Sequence, residues 1–225
     1  MIQGRLNDAA IALHRVLSQR CVNFGIFGGY AIGAVGGVRE SKDIDCLAYV
    51  SKEQVVELLN GKHGFQVIPQ TRQDYVAFLW SDKSDRKNAV LVVRYSARRA
   101  QYSMGNIPCK LVEINGQSQG PGTSAFLDPF YLFKGKLRAA ATRAKFHDSA
   151  DLRMLAGKFE SLIQPRAHEL DLEYVCLAIK RYVELERLFE KIGIDVKKAK
   201  VAVSNLDPHK LPPPAAVDVQ RGLLG

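Results

Sequence analysis

Apolar residues recur at helical spacing over residues 6–20, where Leu6, Ala9, Ala10, Leu13, Val16 and Leu17 share one face, so the chain is predicted to open with an amphipathic helix. Phe24 to Phe27 then reads as a short buried strand, and Gly28-Gly29 as a turn leading into a small-residue helix around 30–36. Asp43 to Val50 is the next predicted strand. Ser51 with Gln54 marks a capping-box start for a helix over 52–60. Strands are predicted at 65–68, 74–80, 89–95 and 109–114, with a polar loop from Ser81 to Asn88. After a loop from Asn115 to Thr123 the periodicity becomes helical, over 128–143, 148–163, 171–192 and 195–204. The 171–192 segment carries a packing stripe that includes Val175, Cys176, Ile179, Leu185, Leu188 and Phe189.

The expected fold class is therefore α/β (α+β). A mixed α/β part fills 1–125, a C-terminal helical part 126–208, and a tail over 209–225 is extended or disordered around Pro212-Pro213-Pro214. Composition adds the solvent class and the charge. Hydrophobic residues at 47% and charged residues at 24% describe a soluble globular chain, not a disordered one. A net charge of +9 and a pI near 9.4 favour polyanionic partners. The four cysteines form no CxxC pair and no secretory signal is readable, so a cytoplasmic protein is expected. The uncharged stretch Cys21 to Val38 is too rich in glycine for a membrane span, and no membrane partner is expected.

The candidate chemistry sits at Asp43-Ile44-Asp45. Alternate residues of a strand share a face, so the two carboxylates project together with their Cα atoms about 6–7 Å apart. Such a pair repels unless a cation such as Mg²⁺ bridges it, and it then presents a site for phosphate oxygens. Gly28-Gly29, between strand and helix, lets phosphate approach main-chain N–H groups. A third acid, Glu113, joins them if the strand over 109–114 pairs beside Asp43–Val50; three acids holding two metals would suit in-line displacement at phosphorus.

The run Phe27-Gly28-Gly29-Tyr30-Ala31, followed by Val38-Arg39-Glu40-Ser41-Lys42-Asp43-Ile44-Asp45, resembles the signature of the nucleotidyltransferase superfamily, most closely its minimal and AbiEii-type toxin branches. Leu132 to Ala139, then Arg143 and Asp148-Ser149-Ala150-Asp151-Leu152, is similar to the lysine-bearing and acidic helices that follow the sheet in that branch. The resemblance implies a nucleotidyltransferase-type mixed sheet followed by a helical bundle. It implies Asp43, Asp45 and Glu113 as ligands of Mg²⁺ or Mn²⁺, with Asp148 as a supporting or general-base residue. Gly28, Gly29, Arg39, Ser41 and Lys136 would be nucleotide-binding residues. The implied activity is transfer of a nucleoside monophosphate from an NTP, ATP first, to an acceptor that is a small molecule, RNA or protein, with release of pyrophosphate. Gly29 stands where serine is common and Glu113 where aspartate is usual.

Between Arg94 and Lys145 lie nine basic residues (Arg94, Arg98, Arg99, Lys110, Lys134, Lys136, Arg138, Arg143, Lys145) and two acids, which reads as a surface for a triphosphate or RNA, or as a solvated face with ion pairs. Tyr95, Tyr102 and Tyr131 are candidates for base stacking, whereas Phe130 and Phe133 belong to a core. Two rival functions stand beside the transferase: a catalytically inactive nucleotide- or RNA-binding protein of the same fold, and an ATP-dependent carboxylate-adenylating enzyme.

Overall fold

The computed structural model describes residues 2–96, 98–99, 102–103, 105, 107–203, 205–212, 215 and 217–225. The side chains of Arg98, Arg99 and Tyr102, and Pro213 with Pro214, lie outside the described residues. The chain forms two compact units, Met1–Asp128 and Pro129–Leu223.

The first unit contains α1 (Ile2–Gln19), β1 (Phe24–Phe27), α2 (Gly28–Ala34), β2 (Asp43–Ala48), α3 (Lys52–Leu59), β3 (Phe65–Ile68), β4 (Tyr75–Trp80) and β5 (Val90–Ser96). A short hairpin of β6 (Arg98–Arg99) and β7 (Tyr102–Ser103) follows, then β8 (Cys109–Asn115) and β9 (Pro121–Leu127). Seven strands form one mixed sheet in the order β3-β4-β5-β2-β1-β9-β8. Strand β2 runs parallel to β5 and antiparallel to β1, and β1 runs parallel to β9. The predicted capping box is present: Ser51 Oγ accepts from Gln54 N at 3.2 Å and Gln54 Oε1 accepts from Ser51 N at 3.2 Å.

Strand β9 corrects two expectations, a loop running to Thr123 and a sheet ending at 125. Its small residues have the composition of a turn but serve close packing. Ser124 Oγ donates to the Ala10 carbonyl at 3.0 Å, and a Cβ on Gly122 would come within 2.9 Å of Ile11 Cδ1. Helix α1 thus lies directly on β9. Register aligns Phe126, Ile26, Cys46, Arg94 and Val76 as one buried row across the sheet. The Tyr30 ring of α2 packs on Phe126 at 5.8 Å. Arg94 is fully buried in that row and donates to the Ser51 carbonyl; burial pushes its guanidinium down to about 10.

The second unit comprises α4 (Pro129–Thr142), α5 (Phe146–Lys158), α6 (Glu160–Ile163), a 3₁₀ turn at Gln164–Glu169, α7 (Leu172–Arg181), α8 (Leu185–Lys191), α9 (Val196–Ala202), a second 3₁₀ turn at Pro208–Lys210, and α10 (Asp218–Leu224). The single helix expected over 171–192 is two. Val175 and Ile179 lie on one phase of the apolar stripe, Leu185 and Phe189 on another, and between them the backbone leaves helical geometry at Tyr182, with φ −134° and ψ 85°. Val183 consequently faces solvent at 72% exposure while the four apolar residues around it are buried. The helix expected over 148–163 is interrupted in the same manner at Phe159, where φ is −124° and ψ 31°. Helix α7 is capped by Asp171, whose carboxylate accepts from Glu173 N at 2.8 Å. The tail also departs from expectation, because it ends in α10, where Gln220, Gly222 and Leu223 are buried. Among the described residues no helix is long and apolar enough to cross a membrane.

Candidate active site

Asp43 and Asp45 stand half-buried on one face of β2, while Ile44 and Cys46 between and beyond them turn into the core. The antiparallel pairing of Phe27 with Asp45 brings the end of β1 beside the second acid. At that point the chain turns into α2 through Gly28, whose φ of +75° suits glycine. A Cβ there would lie 2.6 Å from Asp45 Oδ2, so the missing side chain is what lets this carboxylate sit against the turn. Gly29 is packed in the same way: a Cβ would lie 2.9 Å from Arg39 Nη2 and 3.0 Å from Ser41 Oγ. Gly29 is therefore matched to its neighbours.

Ser41 is buried, and its hydroxyl lies 3.1 Å from both the Asp43 carbonyl oxygen and Asp43 Oδ1. It orients the first acid. Arg39 lies over Gly29. The turn, Arg39, Ser41, Asp43 and Asp45 are thus brought together.

Glu113 is not. Two strands, β1 and β9, separate β8 from β2, and Glu113 is exposed near the far end of β8. The registers put Asp45 level with Phe27, Leu127 and Cys109, and Glu113 lies four residues beyond Cys109. By strand geometry that is about 14 Å across the sheet and about 13 Å along it. The neighbours of the two acids on β5 are Leu91, level with Asp43, and Val93, level with Asp45. Among the described residues no group of three or more His, Cys, Asp or Glu is placed to hold a metal. The expectation of three converging acids is corrected by the sheet order, which depends on pairings that local spacing does not encode.

The remaining predicted residues belong to the second unit. Lys136 is buried, with its Nζ 2.6 Å from Asp151 Oδ2 and 3.5 Å from Asp148 Oδ1. Arg143 donates to Asp148 through Nε at 2.7 Å and Nη2 at 3.0 Å. Burial acts most strongly on the Asp148 carboxyl and would raise its pKa, but the hydrogen bonds and charge of Arg143 and the charge of Lys136 outweigh it and hold the group below the ordinary carboxylate range. Asp148 is an ionised member of a buried ion-pair cluster.

Several of the described basic residues are not free for an anionic partner. Arg94, Lys134 and Lys136 are buried, Arg143 is committed to Asp148, and Lys110 lies 3.9 Å from Asp128. Phe130 and Phe133 are core residues. Sequence reasoning missed Tyr75: its ring lies 5.7 Å from Tyr95, which in turn lies 5.7 Å from Phe27, an aromatic row that only the strand register assembles.

No family model matches the chain, and no curated protein matches it. Among solved structures it is similar to an antigenic nucleotidyltransferase-like protein from Paracoccidioides brasiliensis, at 15% identity and a TM-score of 0.54, covering 83% of this chain and 92% of that one. It is also similar to MenT4, a nucleotidyltransferase toxin from Mycobacterium tuberculosis, at 18% identity and a TM-score of 0.50, covering 98% of this chain and 81% of that one. The chain has a nucleotidyltransferase fold.

Proposed function

We propose that the protein is a nucleotidyltransferase that moves a nucleoside monophosphate from an NTP, ATP first, to a hydroxyl or amine of a small-molecule, RNA or protein acceptor. The observation that carries this reading is the packing of the Asp45 carboxylate against Gly28 while Ser41 orients Asp43, on the fold described above. The acceptor atom attacks the α-phosphorus in line and gives up its proton to solvent, the bond to the β-phosphate oxygen breaks, and pyrophosphate leaves. Asp43 and Asp45 suit Mg²⁺ or Mn²⁺, since Mg²⁺ is commonly held by one or two carboxylates together with substrate phosphates. When bound, such an ion neutralises charge developing on the phosphates. Gly28 and Gly29 let Asp45, Ser41 and Arg39 close around the turn, and the Arg39 guanidinium adds positive charge there for the phosphates. Asp148 enters as the partner that holds Arg143 and Lys136, not as the base, because Arg143 engages both of its oxygens.

The second reading, an inactive nucleotide-binding protein, is favoured by Leu91 and Val93 standing beside the acids where a third carboxylate would complete a two-metal set. Calorimetric titration of each NTP with and without Mg²⁺, into the wild type and an Asp43→Asn/Asp45→Asn variant, separates the two. Metal-dependent binding lost in the variant is the expected result. Binding indifferent to metal and carboxylates supports the inactive reading. With an acceptor in hand, Asp45→Asn abolishes transfer and Glu113→Gln retains it. A carboxylate acceptor would give an acyl-adenylate, distinguished by its reaction with hydroxylamine.

A further inference from the structure

A cavity of about 370 Å³ opens in the first unit where α1 crosses the start of β5. Its charged lining is cationic, Arg5 and Lys42; Asn88 and Gln117 add amides, and Ile2 and Val90 an apolar wall. That volume falls within the range of small-molecule pockets.

Arg5 is nine-tenths buried and its guanidinium lies over the Trp80 ring at 5.2 Å. Nη1 donates to Asp82 Oδ1 at 2.6 Å and lies 3.7 Å from Asp8 Oδ2. Nε and Nη2 are buried without a hydrogen-bond partner among the described residues. These two nitrogens form one edge of the guanidinium, the fork that donates to both oxygens of a carboxylate or phosphate. Buried donors are rarely left unpaired, so the edge is in want of an acceptor. Asp8 does not compete for it, since its oxygens already accept from Ser118 N, Gln119 N and Ser118 Oγ.

We propose that this cavity binds a small oxyanion, the phosphate or carboxylate head of a compact organic molecule, on the ammonium of Lys42 and the unpaired edge of Arg5, which is buried at the cavity wall and turns to meet the ligand. The apolar body of the ligand lies on Ile2 and Val90, and the amides of Asn88 and Gln117 meet its polar substituents. The site is separate from the carboxylate pair, since neither Asp43 nor Asp45 lines the cavity. It does not depend on the transferase reading.

Trp80 is the only tryptophan, so its emission reports on Arg5 directly. The full-length chain is titrated separately with inorganic phosphate and with succinate, followed by fluorescence and calorimetry. Saturable binding of either is expected, with the tighter one identifying the head group. Affinity falls at least tenfold in Lys42→Gln and in Arg5→Lys, and is unchanged in Asp43→Asn/Asp45→Asn. Circular dichroism verifies that each variant is folded, and Lys42→Gln, at an exposed position, tests the site even where Arg5→Lys does not fold. Absence of saturable binding, wild-type affinity in Lys42→Gln, or loss of binding in the carboxylate variant overturns the proposal.

Discussion

A single hydrogen atom in place of a side chain decides whether Asp45 can lie where it does. Gly28→Ala forces a Cβ toward Asp45 Oδ2 and places an L-residue at φ +75°. The backbone term alone costs about 1–2 kcal/mol. On the proposed function, displacing the carboxylate by an ångström is expected to cost transfer about 10²-fold. Parallel thermal melts and transfer assays on the variant separate these effects: a small loss of stability with a large loss of activity is the expected outcome. At Asp148 the consequence is pH dependence. Its folded pKa is depressed, so its stabilising contribution is present above the unfolded carboxylate value of about 3.9 and is lost as pH falls through the folded value. Far-ultraviolet circular dichroism of Asp148→Asn between pH 7 and pH 2 is expected to show a shallower acid dependence than the wild type.

At the level of elements, β9 carries the fold and is the strand least visible in the sequence. Phe126 is buried at the centre of its row, so Phe126→Ala is expected to cost about 3–5 kcal/mol, measured by chemical denaturation. The short strand β1, the capping box of α3 and the face shared by Asp43 and Asp45 were legible because each rests on local spacing. Pro121, Gly122, Thr123 and Ser124 have turn-like composition, and the approach of α1 explains the smallness of Gly122 and Ser124. The break between α7 and α8 is written as a phase change in the apolar stripe around Val183, but the continuous hydrophobicity of the segment conceals it. Glu113 is misplaced by the sequence for a different reason: alternation gives the face of a strand, whereas its neighbours depend on contacts distant along the chain.

For the whole molecule, the sheet order sets the carboxylate pair on an inner strand apart from the residues of the terminal strand. Strand β8 ends the sheet, and it carries Lys110 and Glu113 around Leu111, which is 68% exposed. Terminal strands offer unpaired amides and carbonyls to any similar strand, and charges along them discourage that encounter. Glu113→Val would leave an uninterrupted apolar run from Leu111 to Ile114 along this border. Dynamic light scattering during storage at high protein concentration is expected to show growing particles for that variant and a stable monodisperse population for the wild type. The acid first read as a metal ligand then acts as a guard on colloidal stability, keeping an open border of the sheet from becoming a template for aggregation.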